Sequence, residues 1–237
     1  MSTLAISPVR RAVRFYDAPI GKKVMMAVTG IILFGYVLGH MLGNLQIFSS
    51  NPQQINNYAA FLHSPANVGP LWAIRLILLA AVILHITAAV QLWAMNNAAR
   101  PIGYVKKTDV PSAYAARTMR WSGVIVGAFI IFHVLHLTSG AIPGLDTKDV
   151  GGNPNMPDVR TNVITGFSHP LVAAFYILAM VLLCMHLYHG LYSLFQSLGL
   201  AHPRYTPKIK AGAAVFAILV CIGFISVPVA VLAGFLQ

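Results

Sequence analysis

Histidine is the residue type with chemistry to offer in this chain of 237 residues, and six of its nine histidines lie inside long apolar runs. These are His40, His85, His133, His136, His186 and His189, whereas His63, His169 and His202 lie near the ends of such runs. An imidazole in apolar surroundings has two nitrogens that need partners, and it can bind a metal, relay a proton or hydrogen-bond to a neighbouring helix. The helix contact explains a single one. Histidines on four of five apolar runs, with none on the fifth, invite a joint explanation.

The runs that position them are long. The stretch from Lys22 to Phe48 places about twenty apolar or small residues after two lysines, enough at roughly 1.5 Å per residue to cross a hydrocarbon core of about 30 Å. Similar runs give spans at about 24–48, 71–95, 121–142, 170–198 and 211–235. Apolar residues make up 57% of the chain and charged residues 9%, with a mean hydropathy of +0.73, whereas soluble domains carry roughly 25% charge. The expected fold is an all-α integral membrane protein, one domain over 1–237, with five transmembrane helices of which the first four form a histidine-bearing bundle.

The connections differ in character. Residues 1–21 carry Arg10, Arg11 and Arg14 but lack the long apolar core of a cleavable signal, so they are expected to stay, either as a short surface helix facing a partner or as an irregular basic tail drawn to anionic lipid. The stretch 44–70 reads as polar and turn-rich, and 143–168 as a Pro/Gly/Asn/Asp loop without apolar periodicity. The loop Asn96–Arg120 holds Arg100, Lys106, Lys107, Arg117 and Arg120. The formal charge of +11 lies in short clusters at the ends of apolar runs, the pattern of topology signals and not of a nucleic-acid surface. Thirteen basic residues fall on one side, and Arg75, Lys148 and Arg160 on the other, which places the N-terminus in the cytoplasm and the C-terminus outside.

Depth then sorts the histidines. Counting from the span ends puts His40 and His133 roughly 20–25 Å from the inner surface, and His85 and His186 roughly 15–17 Å from it. The implied pairs are His40 with His133 and His85 with His186. Two imidazole pairs at two levels of a four-helix bundle suit two haems, each clamped by axial nitrogens from two helices. Glycines at 35, 39, 43, 123 and 127 and alanines at 80, 81, 88 and 89 make room for the macrocycles, although such residues also serve ordinary close helix packing. Filled axial positions leave the iron no site for oxygen or substrate, so the remaining chemistry is one-electron transfer. His136 and His189 each follow a proposed ligand by three residues and share much of its helix face, so either can exchange roles with it. Cys184 and Cys221 lie in apolar runs without CxxC or CxxCH spacing, which argues against a disulfide scaffold, a covalently attached haem or an iron–sulfur cluster in this chain.

The segments TGIILFGYVLGHMLGN around His40, HITAAVQLW after His85, WSGVIVGAFIIFHVLHLTSG around His133 and HLYHGLYSLFQSLGL from His186 resemble the di-haem cytochrome b membrane anchor of succinate dehydrogenase and fumarate reductase, the single-anchor five-helix type. The resemblance implies that these four histidines are the axial ligands of two haem b groups, His85/His186 at the haem nearer the cytoplasm and His40/His133 at the farther one. It also implies a complex with an FAD flavoprotein and an iron–sulfur subunit on the cytoplasmic side of a bacterial membrane, passing electrons to a quinone, by expectation menaquinone, near the outer face. Asn44, Gln46, His63 and Arg75 are the candidate quinone or propionate contacts. The chain departs from some relatives in having no glutamate, which excludes a transmembrane proton relay built on that residue. Two rival readings are the cytochrome b anchor of a hydrogenase or formate dehydrogenase, and a haem-free transporter using histidines for protons or cations. The transporter reading lacks the intramembrane carboxylates and paired broken helices such proteins carry.

Overall fold

The computed structural model describes residues 8–99, 114–145, 148–149 and 157–237. Arg100, Lys106, Lys107 and Asp146 therefore lie outside the described residues. Helices α1 (Pro8–Asp17), α2 (Pro19–Asn44), α3 (Gln54–His63), α4 (Val68–Ala98), α5 (Tyr114–His133), α6 (Val159–Phe167), α7 (Pro170–Ser197) and α8 (Thr206–Leu232) follow in order. A 3-10 turn at Leu45–Phe48 extends α2, and a π-helical turn at Val134–Thr138 extends α5. Five of these elements are long and apolar enough to cross a membrane: Pro19–Phe48, Val68–Ala98, Met119–Thr138, Pro170–Ser197 and Thr206–Leu232. The protein is thus an all-helical, multi-pass membrane protein.

The ends of the helices follow local chemistry. Proline occupies the first turn of α2, α7 and α8, where its missing N–H costs nothing. α7 and α8 end on glycines in the left-handed region, Gly199 at φ 74° and Gly234 at φ 76°. At each end the next N–H returns to the last turn, Leu200 to the Phe195 carbonyl at 2.8 Å and Phe235 to the Ala230 carbonyl at 2.9 Å.

Two of the connections contain helices that their composition did not announce. Within 44–70, α3 lays Ile55, Asn56 and Ala59 against the bundle, an apolar face too short for periodicity to declare. Within 143–168, α6 starts at Asp158, whose carboxylate accepts from the Thr161 N–H and caps the helix. Of the two readings of the N-terminal stretch, the helical one holds over Pro8–Asp17: α1 folds back on α2.

Packing divides the bundle into two leaves. α2 packs along α4, and α5 along α7; α8 packs on α7 and also reaches α2, while α7 touches α2. Among the described residues no substantial backbone contact joins α4 to α5 or α7, or α2 to α5. Small residues close the tight seams, as expected where lipid gives no hydrophobic drive between helices. Ala173 and Ala179 on α7 and Ala213 and Ala217 on α8 are buried, as are Ala81 and Ala88 on α4, whose neighbour over that length is α2. Ala81 and Ala88 therefore serve helix contact and do not enlarge the interior. The buried core, with Ile47, Phe129, Phe167, Tyr176 and Val227, lies toward the end of the bundle capped by α3 and α6.

That cap is polar. Asn56 donates to Asp158 at 3.0 Å, the Arg160 N–H donates to the Asn56 side-chain oxygen at 3.0 Å, and the Arg160 guanidinium reaches the carbonyls of Ile47 and Gln237. Partial burial works against the Asp158 carboxylate, but hydrogen bonds from Thr161 and Asn56 and the charge of Lys148 outweigh it and hold its pKa below the ordinary value.

Candidate functional site

Each leaf presents two of the sequence-selected histidines, and they meet in pairs across the gap that the backbones leave. His40 of α2 faces His133 of α5 with ring centres 5.7 Å apart, and His85 of α4 faces His186 of α7 with ring centres 6.4 Å apart. Two metal–imidazole bonds of about 2 Å each, with about 1.1 Å from nitrogen to ring centre on either side, would set coaxial rings about 6 Å apart. Among the described residues no group of three or more His, Cys, Asp or Glu gathers, so each pair suits a metal that brings its other ligands in a macrocycle.

The two levels can be read from the registers. Thr29 of α2 stands at His85, eleven residues before His40, and Gly123 of α5 stands at His186, ten before His133. At 1.5 Å per residue the pairs lie about 15–16 Å apart along the bundle. Counting from apolar boundaries gave a smaller separation, because α2 begins at Pro19 and α5 at Tyr114, several residues before the apolar boundaries used for His40 and His133.

Each imidazole has its own support. The Thr29 hydroxyl donates to the Met25 carbonyl at 2.7 Å, so toward His85 Nδ1, at 3.0 Å, it acts as acceptor. This fixes the proton on Nδ1 and leaves the His85 Nε2 lone pair for a metal. The Tyr176 oxygen lies 2.9 Å from Nδ1 of His136 and 3.3 Å from Nδ1 of His133. In the tautomer where Nδ1–H of His133 donates to the phenol, its Nε2 is likewise the free nitrogen. Asn44 Nδ2 donates to His40 Nε2 across a long 3.3 Å and is the group a metal there would displace. His186 carries a buried Nδ1 with no hydrogen-bond partner, an imidazole that the protein itself leaves unsatisfied.

Several glycines of the histidine-bearing helices have open space above them. A Cβ added at Gly35, Gly39, Gly127 or Gly190 would meet no atom within 4 Å. Gly43 is different, since Tyr58 covers it at 3.2 Å, and Gly123 is in ordinary contact with His186 at 3.6 Å. The paired rings, the unsatisfied His186 nitrogen and these open glycine faces fit haem at both levels.

The later histidine of each HxxH pair is engaged elsewhere. His136 is fully buried in the π-helical turn between Tyr176 and Gly166, where a Cβ would lie 2.7 Å from its ring. His189 bonds Tyr192 on its own helix at 3.0 Å. Of the candidate quinone or propionate groups, Asn44 touches His40, Gln46 accepts from Gln54 at 3.1 Å, and His63 Nδ1–H donates to the Ala59 carbonyl at 2.8 Å. Arg75 lies over the Trp72 ring at 5.0 Å. Only Asn44 among these four contacts a paired histidine. Sequence reading missed Thr29, Tyr176 and Tyr36, the last stacked on His40 with ring centres 5.4 Å apart. A hydroxyl in mid-span four residues or one helix away from an imidazole was the available signal.

Residues 108–225 match the succinate dehydrogenase/fumarate reductase transmembrane subunit family. The match includes α5, α7 and their histidines and stops short of α2 and α4. By this match the chain is similar to a membrane-spanning subunit of succinate dehydrogenase or fumarate reductase. No curated protein and no solved structure matches the chain.

Proposed function

We propose that this chain is the di-haem cytochrome b anchor of a bacterial succinate:quinone oxidoreductase, lying in the cytoplasmic membrane with its N-terminus in the cytoplasm. The observation that carries the proposal is the meeting of two histidine pairs across a gap the helix backbones do not close. His85 and His186 hold the inner haem, toward the docked iron–sulfur subunit and its FAD flavoprotein partner, and His40 and His133 hold the outer one. Held by one histidine from each of two helices, haem b would supply a one-electron carrier closed to oxygen and substrate.

The chain's own groups position and tune. Thr29 keeps the His85 Nε2 lone pair directed away from α2, and Tyr176 orients His133 from α7. Near the outer pair, Asn44, Gln46, His63 and Arg75, together with Tyr36, form the polar surroundings for quinone, by preference menaquinone. His63 spends its Nδ1–H on the Ala59 carbonyl, which leaves Nε2 to exchange a proton with bound quinone. Because the chain contains no glutamate, quinone protons come from the outer water phase through such groups and ordered water. In proteoliposomes with a pH dye sealed inside, quinone turnover should change the outer phase first; uptake from the inner phase contradicts this route.

The assignment of partners is tested by purifying the complex through a tag on this chain. Flavoprotein and iron–sulfur subunits should copurify, and succinate should reduce a b-type spectrum that added quinone reoxidises. Hydrogenase or formate dehydrogenase subunits in that preparation, with no response to succinate, would assign the anchor to a different quinone-linked enzyme.

A further inference from the structure

Lys22 and Lys23 are neighbours at the start of α2, yet they lie in different surroundings. Lys23 is exposed, as a topology signal should be, whereas Lys22 is only 5% exposed. Its ammonium does not reach outward to water. It donates to the Gln91 side-chain oxygen of α4 at 3.0 Å and to the Tyr16 carbonyl of α1 at 3.2 Å, and it lies 4.2 Å from the centre of the Tyr16 ring. The Tyr16 hydroxyl donates to the same Gln91 oxygen at 2.9 Å. The arrangement is built: a Cβ at Gly21 would run into the Phe15 carbonyl, so glycine there lets α1 fold onto α2 and bring the Tyr16 carbonyl to the lysine.

What the cluster lacks is a negative charge. Among the described residues no carboxylate forms an ion pair with Lys22, and neighbouring Asp17 is exposed. Neutral oxygens take two of its three N–H groups, but a buried ammonium without a counter-charge is costly, and long side chains normally avoid this by snorkelling. The position of the charge names its partner. Lys22 and Thr29 are seven residues apart on one stripe of α2, and Thr29 holds His85, so the ammonium stands about 10 Å along the helix from the His85–His186 level, toward the α1 end. A porphyrin held there would carry two propionate arms, anions of the kind the ammonium lacks.

We infer that Lys22, braced by Gln91 and Tyr16, is the anchor for a propionate carboxylate of the haem held by His85 and His186. The inference rests on the haem reading above and is tested separately from it. In the intact complex Lys22→Met should lower the midpoint potential of that haem alone, through loss of a nearby positive charge, and speed its loss to apomyoglobin, while the His40–His133 haem keeps its potential. Lys22→Arg should restore both values. Potentials unchanged in Lys22→Met, or both haems shifted equally, would make Lys22 a structural tie between α1, α2 and α4 and overturn the proposal.

Where Lys22→Met does not assemble, Lys22→Arg and the wild type decide. Redox-difference infrared spectra with haem labelled by 13C at the propionate carboxyls should show carboxyl bands that move between the two proteins. Unmoved bands would assign the ammonium to another anion, such as a lipid phosphate, and overturn the proposal. A wild-type complex without haem is a different result, since it removes the di-haem reading itself.

Discussion

Replacing Thr29 by valine removes one hydroxyl and leaves the side-chain shape almost unchanged. Thr29 is 3% exposed, and its hydroxyl makes two kinds of bond, one back to the Met25 carbonyl and one accepted from His85 Nδ1–H. The first is a local bond that a helix easily does without. The second leaves a buried imidazole N–H without a partner when lost, which costs about 1–3 kcal/mol. At about 1.4 kcal/mol per factor of ten, that is roughly a 5- to 140-fold weaker hold on the haem ligated by His85. The range overlaps the roughly 10- to 100-fold typical for removing the group that hydrogen-bonds a metal-ligating histidine. Since that bond also makes the imidazole a stronger donor, its loss should raise the potential of this haem.

The assay is haem transfer to apomyoglobin from the purified complex, followed at wavelengths that separate the two haems, with a redox titration beside it. Thr29→Val should release one haem faster by that factor and shift one potential upward, and Thr29→Ser should resemble the wild type. Equal release of both haems, or no change in rate and potential, would refute the reasoning that Thr29 acts through His85.

Three further outcomes are expected. His40→Ala or His133→Ala should remove one haem, and His85→Ala or His186→Ala the other, read as haem-to-protein ratio and the surviving potential. Gly127→Leu, at a face where a Cβ meets nothing within 4 Å, should leave the helices folded by circular dichroism and still lower haem content, because the added side chain occupies the macrocycle's space. The depressed pKa of Asp158 means that its contribution to the α3–α6 cap is present above the ordinary carboxylate pKa of about 3.9 and fades as pH falls through its lower folded value. Thermal unfolding of detergent-solubilised protein should therefore lose more stability on acidification in the wild type than in Asp158→Asn.

The architecture was legible in the sequence because membrane burial leaves little choice: five runs of about twenty apolar residues can only be helices. The histidines were legible for a related reason, since an imidazole in such a run stands out. Their partners were not, because Thr29 and Tyr176 look like ordinary residues of an apolar stretch until the fold sets them against Nδ1 of His85 and His133. The short helices α3 and α6 escaped because they hold ten and nine residues, too few for periodicity to rise above their Asn, Gln and Thr content. For Ala81 and Ala88 the sequence left room-making and close helix packing both open, because size does not say which side of a helix faces a neighbour. Lys22 read as a topology signal like Lys23, and only the fold of α1 onto α2 distinguishes the two.

The central claim is that imidazoles from opposite leaves of the bundle share iron two by two. A reduced-minus-oxidised visible spectrum of the purified complex, with pyridine haemochrome quantification against this chain, tests it most directly. The account predicts low-spin b-type bands, two haems per chain and two resolvable midpoint potentials. A colourless complex, or one haem per chain with a single potential, would contradict it.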